Sequence, residues 1–115
     1  MAISTIKMNQ QTSRGTPTNK TGVTPTLNSV VSVGKIAFLR FAVNSVSLAG
    51  NNGVLCTLPE SFIPQHDEKI MALTTYNDTN RMLPYLIKSN GDVVTAMGSG
   101  IVSEINILNI PYPLL

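Results

Sequence analysis

From Val31 to Leu115 the chain is a succession of short apolar runs broken by Gly, Pro, Asn, Asp and Ser, and no segment sustains a 3.6-residue apolar period. That pattern leaves strands, not helices, to bury the apolar side chains. The breaks recur at roughly 8–12 residues, the spacing of strands in a sandwich or barrel. The expected fold is all-β, an antiparallel β-sandwich or jelly roll of about seven or eight strands with an extended N-terminal tail.

The strongest strand is Lys35-Ile-Ala-Phe-Leu-Arg-Phe-Ala-Val43. Ala37, Leu39, Phe41 and Val43 alternate on one face, and Ile36, Phe38 and Ala42 on the other, interrupted by Arg40. A strand apolar on both faces is covered on both sides. Here that predicts a sandwich interior against one face and a subunit interface against the other. Arg40 is then expected to be paired across that interface or to lie at its rim, because an unpaired buried charge costs several kcal/mol.

Ala49-Gly-Asn-Asn-Gly53 reads as a turn that makes 35–48 and 53–58 hairpin partners. Pro59 and Pro64 bracket a loop, Lys69–Tyr76 is a strand, and Asn77-Asp-Thr-Asn80 is a loop of Asx-turn formers. Met82–Lys88 resumes the β pattern, with Pro84 marking an edge position or bulge. Asn90-Gly91 predicts a type I′ hairpin turn, which needs positive φ at both central residues. Asp92–Met97 and Ile101–Ile110 are the last strands, parted by a turn at Gly98-Ser-Gly100.

Residues 1–27 are a different material, rich in Thr, Gly and Pro from Thr12 to Thr26. They are expected to be an extended or flexible segment ahead of a β-sandwich domain over 28–115. The weak alternation of Ile3, Ile6 and Met8 also suits a strand that docks on another protein.

Charged residues make up 12% of the chain, about half the ~25% usual for a globular protein, while 43% is hydrophobic. So little charge leaves apolar surface for other copies of the chain, or a partner, to cover. The net charge of +2 divides into +3 from Lys7, Arg14 and Lys20 in 1–27 and −1 from five bases and six acids in 28–115. No basic stripe tracks phosphates, so nucleic acid is not an expected partner. With one cysteine no intrachain disulfide can form. No apolar stretch reaches the ~18 residues of a membrane span, so no insertion is expected.

Candidate catalytic groups are few. Cys56 and His66 are the residue types of a thiolate pair, but Cys56 inside Val54-Leu-Cys-Thr-Leu58 reads as a small buried hydrophobe. His66-Asp-Glu68 offers metal-ligand types, yet consecutive loop residues seldom converge on one ion. No cofactor, no metal and no enzymatic activity are expected. Binding suits the loops better. Tyr76, Asn77, Asp78 and Arg81 combine an aromatic ring, planar donors and an acceptor, the chemistry that recognises sugar hydroxyls and their apolar C–H face. His66 and Asp67 form a second candidate group for carbohydrate.

Four phrases carry a resemblance: Gly34-Lys-Ile-Ala-Phe38, Leu58-Pro-Glu-Ser-Phe-Ile-Pro64, Ile87-Lys-Ser-Asn-Gly-Asp-Val93 and Ile110-Pro-Tyr-Pro113. Together they resemble the C-terminal β-sandwich modules of tail-fibre and baseplate receptor-binding proteins from phages of Gram-positive bacteria. The resemblance spans about three quarters of the chain and implies a homotrimer at the tail tip or baseplate of a virion, made in the host cytoplasm. It further implies binding of host cell-wall saccharide, with the N-terminal segment meeting other phage tail proteins. A structural cap or connector, or a glycan-degrading tail enzyme, are the alternatives that share this context.

Overall fold

The computed structural model describes residues 12–114. Among them are eight strands: β1 (Thr12–Gly15), β2 (Thr18–Asn19), β3 (Leu27–Val33), β4 (Ile36–Val43), β5 (Leu48–Thr57), β6 (Glu68–Tyr76), β7 (Thr79–Ile87) and β8 (Asp92–Pro113). A single 3-10 turn, Glu60–Phe62, interrupts them. Every strand pairing is antiparallel. The all-β sandwich expected from the alternation is therefore the architecture found.

One curled sheet makes both layers. The strand order is β1-β3-β4-β8-β5-β2, and β6 and β7 pair with each other and with β8. The first half of β8 is antiparallel to β7 (Ile87 opposite Val93) and the second half to β6 (Leu73 opposite Asn106). Because β6 and β7 are themselves antiparallel, a strand antiparallel to both must turn over between them. It does so at Gly98-Ser-Gly100, where Gly98 and Gly100 have φ of 96° and 142°. Those values suit glycine and few other residues. One layer is thus β1-β3-β4 with the second half of β8 and the β6–β7 hairpin, and the other is β2-β5 with the first half of β8, which meets the end of β7 at Tyr85–Ile87.

The expected hairpin between 35–48 and 53–58 is not formed. β4 and β5 each pair with β8 instead. Gly50–Gly53 lies inside β5, where register shifts bend it alongside β8, as bulges do at the corners of sandwiches. Pro84 pairs with Met71 one residue before the β7–β8 ladder begins at Tyr85, a margin where its missing N–H costs nothing.

Residues 12–19, expected in an extended or flexible segment, are extended but built into the sheet. β1 pairs with β3 and β2 with β5 at its two edges, and Val23 is buried in the core. An edge strand needs backbone partners more than apolar side chains, so its polar composition hides it. The docking strand suggested by Ile3, Ile6 and Met8 lies outside the described residues.

The core gathers Leu39, Phe41, Val43, Tyr85, Ile87, Ile105 and Ile107 between the layers, each with 0% exposure. Each such side chain contributes roughly 1.5–3 kcal/mol through burial. The polar groups inside the core are partnered at two places: the Thr74 and Tyr85 hydroxyls lie 2.7 Å apart, and Thr95 Oγ1 donates to Ala49 O while accepting from the Gly53 N–H. Asn28 Oδ1 is buried without a partner, although its amide donates to Pro17 O. Cys56 is fully buried, as its apolar setting implied, and burial pushes its thiol up to about 12.

The four phrases of the resemblance converge in space. Phe62 is buried and its carbonyl accepts the Tyr112 hydroxyl at 2.8 Å. Tyr112 stands opposite Ala37, and Leu58 N–H donates to Gly91 O. They form a brace between layers, which is why they read as structural punctuation.

The 88–91 turn differs from expectation. Gly91 alone has positive φ (97°), and its N–H donates to Lys88 O, so the turn centres on Ser89-Asn90 and closes on a left-handed glycine. The two-residue turn with positive φ at both central positions is Asn77-Asp78 (50° and 64°). A Cβ at Gly91 would meet Ile63 Cδ1 at 2.9 Å. Gly91→Val is accordingly expected to cost about 1–3 kcal/mol, read as a lowered Tm in thermal melting; an unchanged Tm would show that the turn tolerates a side chain.

Candidate functional site

The β6–β7 tip supplies the first group of candidate residues. Asn and Asp are among the few non-glycine residues that accept left-handed φ, so Asn77-Asp78 can close a two-residue hairpin. Asn77 is then committed to the frame: its N–H donates to Ile101 O at 3.0 Å, and its Oδ1 accepts the Ile101 N–H at 3.1 Å. Asp78 and Arg81 are exposed. Asn80 Oδ1 accepts from Thr75 Oγ1 at 2.6 Å, which stiffens the base of the turn.

Tyr76 requires a correction. As an open platform its ring would face solvent, but it is only 7% exposed. A Cβ at Gly50 would come within 2.8 Å of the ring, and one at Gly100 within 2.6 Å, so both glycines exist to admit it. Its hydroxyl donates to Ser99 O, and the Arg81 guanidinium lies over the ring, 5.8 Å from its centroid. The cation occupies the face a sugar would need. Tyr76 fastens the tip to the β8 turn-over and positions Arg81.

His66 and Asp67 are exposed, but not beside this tip. They precede β6 at its other end, ten and nine residues from Tyr76, and the strand between, Glu68–Tyr76, is about 27 Å long. Asp67 Oδ1 accepts the Ser89 N–H at 2.8 Å and braces the 88–91 turn. The six candidate residues thus form two groups at opposite ends of the hairpin.

Sequence reasoning missed Asn51, Asn52 and Ser99. The first two carry the sequence signal of a chain reversal and the third that of a turn. The β5 bend instead brings Gly50 against Tyr76 and the Gly98 carbonyl, so the exposed side chains of Asn51, Asn52 and Ser99 flank the same tip. The result is a shallow rim of amides, a carboxylate and a guanidinium. The described residues form no cavity or deep cleft and no cluster of three or more metal-ligating side chains.

A scan against protein-family models and a search of curated proteins return no match for this chain. Its fold is similar to that in the crystal structure of the receptor binding protein (gp15) of Listeria phage PSA, with a TM-score of 0.64. The alignment covers 95% of this chain and 69% of that one, at 15% sequence identity. The two chains share a fold. At that identity no residue role transfers.

Proposed function

We propose that this chain is a non-enzymatic receptor-binding module of a phage tail or baseplate, carried on the virion as a trimer and binding saccharide on the surface of a Gram-positive host. The observation that carries the reading is the likeness, over 95% of the chain, to a phage receptor binding protein. The four converging phrases support it independently. The N-terminal segment is assigned to docking on another tail protein, which the position of β1 at the sheet edge favours, since an edge strand can accept a further strand.

Saccharide would be held by the exposed rim, with Asp78 and Arg81 as principal contacts, Asn77 fixing their turn and Tyr76 supporting Arg81 from below. His66 and Asp67 are kept as a second site. A shallow contact of this kind is weak, near millimolar or about −4 kcal/mol per site, so adhesion rests on several copies acting together. Asp78→Asn, which keeps a residue suited to the left-handed φ of 64°, and Arg81→Ala are expected to reduce adsorption of the assembly to host cell walls at least tenfold, with the thermal melt unchanged. Pull-down on purified walls, with free saccharide as competitor, measures this. Adsorption equal to the parent in both variants would move the site off this tip. Adsorption that no saccharide competes would favour the structural cap or connector.

A further inference from the structure

We propose that copies of this chain associate through the outer face of the layer formed by β3, β4, the second half of β8, β6 and β7, with Arg40 of one copy paired to Glu104 of the next. This deepens the trimeric part of the reading above and rests on it. Ala42, Asn106, Leu73 and Met82 stand in register across four strands of that face. Arg40 and Leu108 form the next row, followed by Phe38 with Pro111 and Ile36 with Pro113. Met71 adjoins Leu73 and pairs with Pro84.

Six large apolar side chains are exposed among the described residues, and five lie here: Ile36 (41%), Met71 (45%), Leu73 (46%), Met82 (56%) and Leu108 (53%). Strand and row spacings give the patch a size on the order of 400 Å², as large as the largest patch of a typical monomer. Four charges share the face. Arg14 opposite Val31 and Lys69 opposite Leu86 sit at its margins, whereas Arg40 stands inside it. Its acid is Glu104, opposite Thr75 and held by the Asn106 amide at 3.4 Å.

The charges identify the occupant. Within one copy Arg40 and Glu104 are two rows and one strand apart, about 14 Å, too far to pair. A purely apolar partner would bury Arg40 without a counter-charge, at a cost of several kcal/mol. A second copy brings its own Glu104, and rotational symmetry repeats the same pair at every contact.

Multi-angle light scattering on the full chain at micromolar concentration tests this. The parent is expected to run as a multimer of the 12.3 kDa chain. Arg40→Glu and Glu104→Arg are each expected to weaken association at least tenfold, and the double variant to restore it, while circular dichroism stays that of the parent. A multimer indifferent to both reversals, or not restored by the double variant, overturns this face and leaves the trimer standing. A monomeric parent overturns both.

Discussion

Tyr76→Ala is expected to destabilise the domain by about 3–5 kcal/mol, the range for removing a buried aromatic side chain. That is a large part of the ~5–15 kcal/mol holding a domain together. Two glycines, one on each bent strand, are shaped around the ring, so no side chain stands ready to refill the space. Its hydroxyl also ties down the Ser99 carbonyl at the turn-over of β8. Tyr76→Phe keeps the ring and should cost only about 1 kcal/mol for the lost hydrogen bond. Equilibrium urea denaturation distinguishes the two. Were the alanine variant as stable as the parent, with wall adsorption lost, Tyr76 would be a ligand platform after all.

Raising the pH through the range 10–12 is expected to unfold the domain. Burial pushes Tyr85 up to about 12 from its ordinary 10.0, against a smaller lowering by the Thr74 hydroxyl. It raises Cys56 from 9.0 to about 12 and lifts Tyr112 further. In each case the folded state holds its proton more tightly than the unfolded chain. The stability this confers is complete below the unfolded value and is lost as pH rises towards the folded one. At ~1.4 kcal/mol per pH unit, Tyr85 alone removes roughly 3 kcal/mol by pH 12, and the other two groups add to it. Far-ultraviolet circular dichroism is expected to collapse in step with the rise in tyrosinate absorbance. A full tyrosinate signal from a chain with native circular dichroism would show that Tyr85 and Tyr112 are accessible to solvent.

Strand positions were legible wherever alternation met burial on one side, as in β4 and β6, because a period of two has no other reading. Continuity was not legible. Ala49–Gly53 and Gly98–Gly100 carry the residues of reversals, and they do reverse the chain's direction, but as bends within strands. The glycines bend β5 and β8 together, so neither strand loses its partner. Such a bend differs from a hairpin only in what lies alongside, and that is a long-range fact.

The same reason explains the turns. Asn90-Gly91 suits a two-residue turn by propensity, yet Ile63 and the Leu58–Gly91 hydrogen bond select another geometry. Asn77-Asp78 has the weaker signal and the tighter turn. For the candidate site, residue chemistry picked out Asp78 and Arg81, both exposed. It could not show that Tyr76 points inward, since an aromatic at the end of a strand suits core and surface equally. Nor could it place Asn51, Asn52 and Ser99, which come from distant parts of the chain.

β8 carries a consequence for how the molecule is made. It touches β4, β5, β6 and β7, yet it is translated after the other seven described strands. Before it emerges, the nascent chain can form only the β3–β4 and β6–β7 hairpins, the β1 edge and the short β2–β5 contact. The two layers then close in one late step, as zipping along a single strand. Long-range pairing of this kind folds in milliseconds to seconds, and the waiting hairpins expose unpaired edges meanwhile. Substitutions in β8 are therefore placed to change yield during synthesis more than activity afterwards.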